Sequence, residues 1–385
     1  MAIAPELQQI VAQAKQQMPQ LADLPDEVVA QMILQAMQEQ REGPPASGEE
    51  LERMSARDIL YSGQELIKVG RWDEAEQVLL KGAEKAEKEN NAEMQCSALS
   101  LLARLCLQRG DFPQAMTLYQ QALALTERIG DQRLMGVIYD EMGTTYRMQG
   151  GYPQAIEYYK KSFEFMEQQG DKQGLAVGYG NLGTVYAQQG NYDEAIQAYK
   201  KGLEYSIRLG MGQWSAIAYS NLGNVYQEQG QYDLAVELYQ KSLEITLRIG
   251  DQQQTANTYG SLGAVHHEFE NYKQAIQMYQ KAVEIGERIG DEPGVARRYG
   301  NLATVYADMG DVGQALAYYN QALKILERIG DQHGAAIFYF NLGNLYRDQG
   351  DMEQARTHYE KAKALFEMVG DARQAQRAAQ ALRGL

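Results

Sequence analysis

Asparagine stands at residues 181, 221, 301 and 341, positions separated by multiples of forty. A carboxamide donates and accepts at once, so a row of them can pair with both the N–H and the C=O of another main chain. Each such bond contributes only about 0.5–1.5 kcal/mol net, so several must act together. Thr184, Asn224, Thr304 and Asn344 repeat the period three residues further along.

The other chemistry-bearing residues form no catalytic set. His266, His267, His333 and His358 lack the spacing of a metal site. His266 stands where Tyr146, Tyr186, Tyr226, Tyr306 and Tyr346 stand elsewhere, which predicts a packed imidazole with its hydrogen bonds satisfied. GYGNLGT (178–184) clusters glycines inside a helical pattern, where they cannot cradle a phosphate. No Ser–His–Asp arrangement can be nominated, and the carboxylates follow helix caps and solvated faces. The expectation is a protein that is not an enzyme and takes no cofactor and no metal.

The net charge of −15 argues against nucleic acid and suits a protein or peptide partner with basic residues, although its plainer role is solubility. Tyr is abundant, 26 against 7 Phe, and fits positions half in a core and half at its edge. Cys96 and Cys106 fall on one predicted helix, about 15 Å apart along its axis, too far to form a disulfide. They read as reduced, buried and inert, which suits a cytoplasmic location. MAIAPELQQI lacks the basic and apolar regions of a signal peptide. No stretch approaches about 18 apolar residues, so no membrane insertion is expected.

The asparagines are carried by a forty-residue period. Gly recurs at 70, 110, 150, 190, 230, 310 and 350, with Glu270 as the exception, and again at 130, 170, 210, 250, 290, 330 and 370. The layout is an acidic arm with a linker (1–50), eight repeats (51–370) and a tail (371–385). Each repeat reads as two helices. In 180–210, Leu182, Val185 and Tyr186 recur at helical spacing until Gly190, then Tyr192, Ala195, Ile196, Tyr199 and Leu203 form a second stripe until Gly210. Gly after a helix supplies a left-handed cap. The residue after it is often Asp or Asn, predicted to cap the next helix: Asp111, Asp131, Asp171, Asn191, Asp251, Asp291, Asp311, Asp331, Asp351 and Asp371. Pro113 and Pro153 fall in a first turn. Gly143, Gly183, Gly223, Gly263 and Gly343 fall mid-helix, each costing about 1 kcal/mol against Ala. Close approach of a neighbouring helix offsets that cost on this reading, with alanines such as Ala195, Ala235 and Ala355 opposite.

The pattern Tyr–x–x–Leu–Gly–x–x–Tyr followed by Gly–x–Tyr–x–x–Ala–x–x–x–Tyr–x–x–Ala/Ser resembles the tetratricopeptide repeat. Repeat eight carries it as Tyr339, Leu342, Gly343, Tyr346, Gly350, Ala355, Tyr359 and Ala362. The resemblance spans 51–370 in phase, with a unit longer than the commonest one of about 34 residues. In style it is similar to the forty-residue repeats of Pins/LGN polarity adaptors and kinesin light chains. It implies an all-α, right-handed superhelical solenoid whose concave wall is made by the first helices. In that geometry the residues flanking the Leu–Gly pair face inward. These are Asn181, Asn221, Asn301 and Asn341 (Glu141 and Ser261 in the other central repeats), then Thr144, Thr184, Asn224, Thr304 and Asn344. In the related adaptors Asn at the first position hydrogen-bonds the backbone of an extended peptide. The competing reading is that these asparagines bond neighbouring helices or face water.

Within the same geometry Arg104, Arg147, Arg297 and Arg347 fall on the inner wall or its rim, beside Asp140, Glu141, Asp308 and Asp348. Gly180, Gly260 and Gly300 leave room for ligand side chains. Phe338 and Phe340 are expected to line an apolar pocket at the C-terminal end, with core packing as the alternative for Phe338. The slot before the ladder lacks the Lys of a chaperone-type carboxylate clamp, so no ligand read chiefly by its C-terminal carboxylate is expected. Repeat six departs at Ser261, Ala264, His266 and Glu270, through a kinked groove or through drift, and drift is favoured.

The expected function is a non-catalytic adaptor or scaffold that binds an extended peptide segment of a partner. The alternative is a peptide-sensing regulator whose superhelix changes on ligand binding. The arm, with apolar stripes at Leu7, Ile10, Val11, Ala14 and Met18 and again at Val28–Met37, is expected to cap repeat one rather than occupy the groove or dimerise the chain. The tail is expected to form a capping helix. Partner identity, pathway and oligomeric state are left open.

Overall fold

The computed structural model describes residues 48–385, together with Lys15, Pro25, Asp26 and 28–30. The arm's predicted helical stripes otherwise lie outside the described residues. Two compact bodies divide the chain, Met1–Gln149 and Gly150–Leu385, so the division falls inside repeat three. In the first, the helices are α1 (Gly48–Arg53), α2 (Ala56–Lys68), α3 (Trp72–Lys88), α4 (Ala92–Gln108), α5 (Phe112–Ile129) and α6 (Gln132–Met148). The second opens with α7 (Tyr152–Gln169), α8 (Lys172–Gln188), α9 (Tyr192–Arg208), α10 (Gly212–Glu228), α11 (Tyr232–Ile249) and α12 (Gln252–Glu268). It continues with α13 (Tyr272–Ile289), α14 (Glu292–Asp308), α15 (Val312–Ile329), α16 (Gln332–Asp348), α17 (Met352–Met368) and α18 (Ala372–Arg383). No strand occurs among the described residues, and no helix there is long and apolar enough to cross a membrane. The fold is an all-α solenoid of consecutively paired helices.

Local chemistry places the helix ends. At Gly130 the backbone turns left-handed (φ 69°), and Asp131 N–H then donates to the Thr126 carbonyl at 3.0 Å, closing the helix. Asp131 in turn accepts from Leu134 N–H at 3.0 Å and opens the next helix. The same side-chain cap forms at Asp111, Asp171, Asp251, Asp291, Asp311, Asp331, Asp351 and Asp371. Asn191 is the exception. It does not cap, and its Nδ2 donates to Gln189 Oε1 at 3.3 Å instead.

Glu270 takes the left-handed turn without being Gly (φ 56°), so repeat six keeps its helices at the bounds of its neighbours, in line with drift.

The mid-helix glycines face something other than the expected alanines. A Cβ at Gly183, Gly223, Gly263 or Gly343 would lie 2.7, 2.7, 2.8 or 2.5 Å from the ring of Tyr199, Tyr239, Tyr279 or Tyr359. The tyrosine sixteen residues on, in the second helix of the same repeat, lies flat against the first helix. The alanines are buried as well, but they are not the partner. In repeat seven Ala303 takes the glycine's place and is buried in one cluster with Tyr319.

Candidate functional site

The paired tyrosines put a hydroxyl at the boundary between core and inner wall. Their rings are buried, and burial pushes the Tyr119, Tyr239 and Tyr279 hydroxyls well above their ordinary pKa of 10.0 and raises that of Tyr319. They remain neutral and able to donate at any physiological pH. Tyr239 Oη donates to Asn224 Oδ1 at 2.6 Å, and Tyr359 Oη to Asn344 Oδ1 at 2.7 Å. Tyr199 Oη donates to Thr184 Oγ1 at 3.1 Å, and Tyr319 Oη lies 3.0 Å from Thr304 Oγ1.

The same hydroxyls reach the next repeat. Tyr119 Oη donates to Glu141 Oε2 at 3.1 Å, while the Asn301 and Asn341 side chains approach the Tyr279 and Tyr319 hydroxyls. Tyr119 thus reaches α6, the first helix of the following repeat, whereas Tyr199, Tyr239, Tyr319 and Tyr359 are tied to the first helix of their own repeat. Sequence reasoning missed this node, although the excess of Tyr over Phe pointed to residues with a polar tip at a core edge.

The contact answers part of the competing reading. Asn301 and Asn341 approach a tyrosine of the preceding repeat, yet Asn181, Asn221, Asn301 and Asn341 are all only half-buried. A carboxamide holding one hydroxyl keeps further donors and acceptors for a second partner. The threonines are more fully committed. Thr184 and Thr304 donate to the Gly180 and Gly300 carbonyls at 3.0 and 3.1 Å while meeting a tyrosine hydroxyl, so they brace the wall.

Two adjoining cavities open on the first helices of the C-terminal body. The larger, about 680 Å³, lies between α12, α14 and α16 and brings together Arg297, Asn301, Thr304 and Asn341. Pro293, Leu326, Ile337 and Phe338 give it an apolar side. The smaller, about 300 Å³, shares Thr304 and Asn341 and adds Asn344, Asp308 and Asp348. Asn181, Asn221, Asn224 and Thr184 lie outside both, on α8 and α10.

Several placements differ from expectation. Phe338, not Phe340, faces the larger cavity. Phe340 packs against the cluster of Ala336, Ala362, Phe366 and Ala375 beneath α18, with the Arg377 guanidinium 5.2 Å from its ring centre. The space at Gly300 is taken: a Cβ there would collide with the Phe338 ring, whereas Gly180 has nothing within 4 Å. Arg347 is held by Asp348 at 2.8 Å. In the N-terminal body, Arg104 is exposed beside a cavity of about 310 Å³, and Arg147 has a buried Nε without a hydrogen-bond partner. His266 is packed but not satisfied, since its Nδ1 is buried and unpartnered. Cys96 is buried, its thiol pushed up to about 11 by that burial, and Cys106 is partly buried. Among the described residues no three His, Cys, Asp or Glu gather where they could hold a metal ion.

Arg298 was not singled out in the sequence. It is 1% exposed, with Nη1 donating to Asp291 Oδ2 at 3.3 Å and Nη2 to Asn257 Oδ1 at 2.9 Å. Asp291, capping α14, also accepts from Gln253 Nε2 at 3.0 Å. One buried cation thus locks α12 to α14 behind the larger cavity.

Comparison with solved structures finds the same fold in proteins of low identity. The quorum sensor NprR from B. thuringiensis matches at 15% identity and TM-score 0.62, over 94% of this chain and 98% of that one. The Signal Transduction ATPase with Numerous Domains protein with a tetratricopeptide repeat sensor, from Pyrococcus horikoshii, matches at 19% identity and TM-score 0.60. That match covers 89% of this chain but only 56% of the other. A Rap protein complexed with Competence and Sporulation Factor matches at 14% identity and TM-score 0.54, over 86% and 96%. No curated protein matches. At these identities the likeness is one of fold, and it does not single out the polarity-adaptor or kinesin-light-chain style. The family model for the tetratricopeptide repeat matches residues 62–128, 134–207, 214–288 and 289–383, and the chain belongs to that family.

Proposed function

We propose that this protein is a non-catalytic adaptor whose first helices bind an extended peptide segment of a partner. The observation that carries the reading is the cavity between α12, α14 and α16, where two ladder asparagines, Asn301 and Asn341, stand half-exposed beside an apolar wall. Carboxamides aligned this way can hold a main chain regardless of its side chains. A preformed wall adds affinity because less freedom is lost on binding. The net charge of −15 suits a ligand with basic residues. The cytoplasm is the compartment that fits the two cysteines.

The second reading is a peptide-sensing regulator. It is favoured by the fold shared with a quorum sensor and with a Rap protein bound to a factor. The two readings share one binding face and differ in whether the solenoid changes shape.

Affinity capture with the wild type beside an Asn181/Asn221/Asn301/Asn341→Ala variant tests the ladder. Partners retained by the wild type and lost from the variant support it, and identical captures refute it. Scattering of the chain with and without such a partner then separates adaptor from sensor.

A further inference from the structure

We propose that the larger cavity receives a carboxylate of the ligand on Arg297, next to an apolar ligand side chain lying against Ile337 and Phe338. This deepens the peptide reading and rests on it. Arg297 occupies a position that is Val177, Ile217, Asn257 and Ile337 in the other repeats of the C-terminal body; Arg377 of the capping helix α18 shares the phase, but its guanidinium lies over the Phe340 ring. Arg297 is exposed at the cavity and has no hydrogen bond or ion pair.

The carboxylates around it are already engaged. Asp291 accepts from Gly294 N–H, Gln253 and Arg298, and Asp331 accepts from Gly334 N–H at 2.8 Å. Neither forms an ion pair with Arg297. A ligand carboxylate can supply the missing countercharge, and a guanidinium fork takes one in two parallel hydrogen bonds.

Position adds to chemistry. Arg297, Asn301 and Thr304 recur at i, i+4 and i+7 of α14 and share one face. A carboxylate on Arg297 therefore leaves its adjoining peptide unit one turn away, over Asn301. The opposite wall is apolar, and the Phe338 ring stands where Gly300 leaves it room. An ion pair flanked by apolar groups is screened less than one in open water. The carboxylate can be a side chain or a chain terminus, since both present the same two oxygens.

The test selects random heptapeptides, displayed with free C-termini, on the full chain. Selected peptides are then remade as acids, as C-terminal amides and with Asp or Glu changed to Asn or Gln. The expected result is a carboxylate whose removal weakens binding about tenfold or more, the size of one charge-assisted hydrogen bond. Arg297→Gln should reproduce that loss without adding to it, and Arg297→Lys should recover part. Amidation carrying the loss identifies a terminal carboxylate, and Asn or Gln exchange a side-chain one. Peptides weakened by Asn301→Ala and Asn341→Ala but indifferent to Arg297→Gln overturn this inference and leave the groove reading standing. Peptides indifferent to the asparagines, or no selected peptide at all, overturn both.

Discussion

Glu270 offers a measurement of what the repeat's punctuation contributes. It adopts φ 56° at a position that is Gly in the neighbouring repeats, and its exposed side chain makes no hydrogen bond or ion pair. Holding a side chain in the left-handed region costs roughly 1–2 kcal/mol. Replacing it by Gly removes that cost but adds about 0.4–1 kcal/mol of unfolded-state freedom. Glu270→Gly is therefore expected to stabilise by about 0.5–1 kcal/mol.

Gly310 is the mirror experiment. It stands at φ 79° with nothing within 4 Å of where a Cβ would go, so Gly310→Ala tests backbone strain alone. It should destabilise by about the same 0.5–1 kcal/mol. Denaturant unfolding of the C-terminal body, followed by helical circular dichroism, reads both, provided the slope is unchanged. If Glu270→Gly is neutral or destabilising while Gly310→Ala costs what is expected, the side chain is doing something the geometry does not reveal, and the strain argument fails.

Burial holds the imidazoles of His266 and His358 below their ordinary 6.5, helped at His358 by Lys361. A histidine with a depressed folded pKa binds its proton more readily when unfolded, so stability should fall as pH drops through about 6.5. His266→Tyr, the residue found in other repeats, should make that fall shallower, and parallel pH–stability curves for the two proteins would count against the assignment. Tyr319→Phe keeps the packed ring but deletes the hydroxyl between Thr304 and Asn341. It should lower stability by about 1 kcal/mol and shift the Asn341 carboxamide resonance but not that of Asn301. Unmoved resonances would show that Tyr319 does not orient Asn341.

The sequence alone determined what depends on near neighbours. Gly130 followed by Asp131 states a helix end and a helix start within two residues, and nine of ten proposed Asp or Asn caps form because their bonds span three residues. The period of forty carried the pairing of helices for the same reason.

Tertiary packing decided everything that depends on residues sixteen, twenty-two or forty positions apart. It set a tyrosine ring rather than an alanine against Gly183, and brought the Asn301 and Asn341 carboxamides towards tyrosines of the preceding repeat. It also separated Phe338 from Phe340, leaving the first at the cavity and packing the second beneath α18, although both are aromatic and stand two residues apart. A sequence period says which residues share a face. Which of their hydrogen-bonding atoms stay free depends on angles and distances between helices, and these are settled only when the whole stack closes on its core.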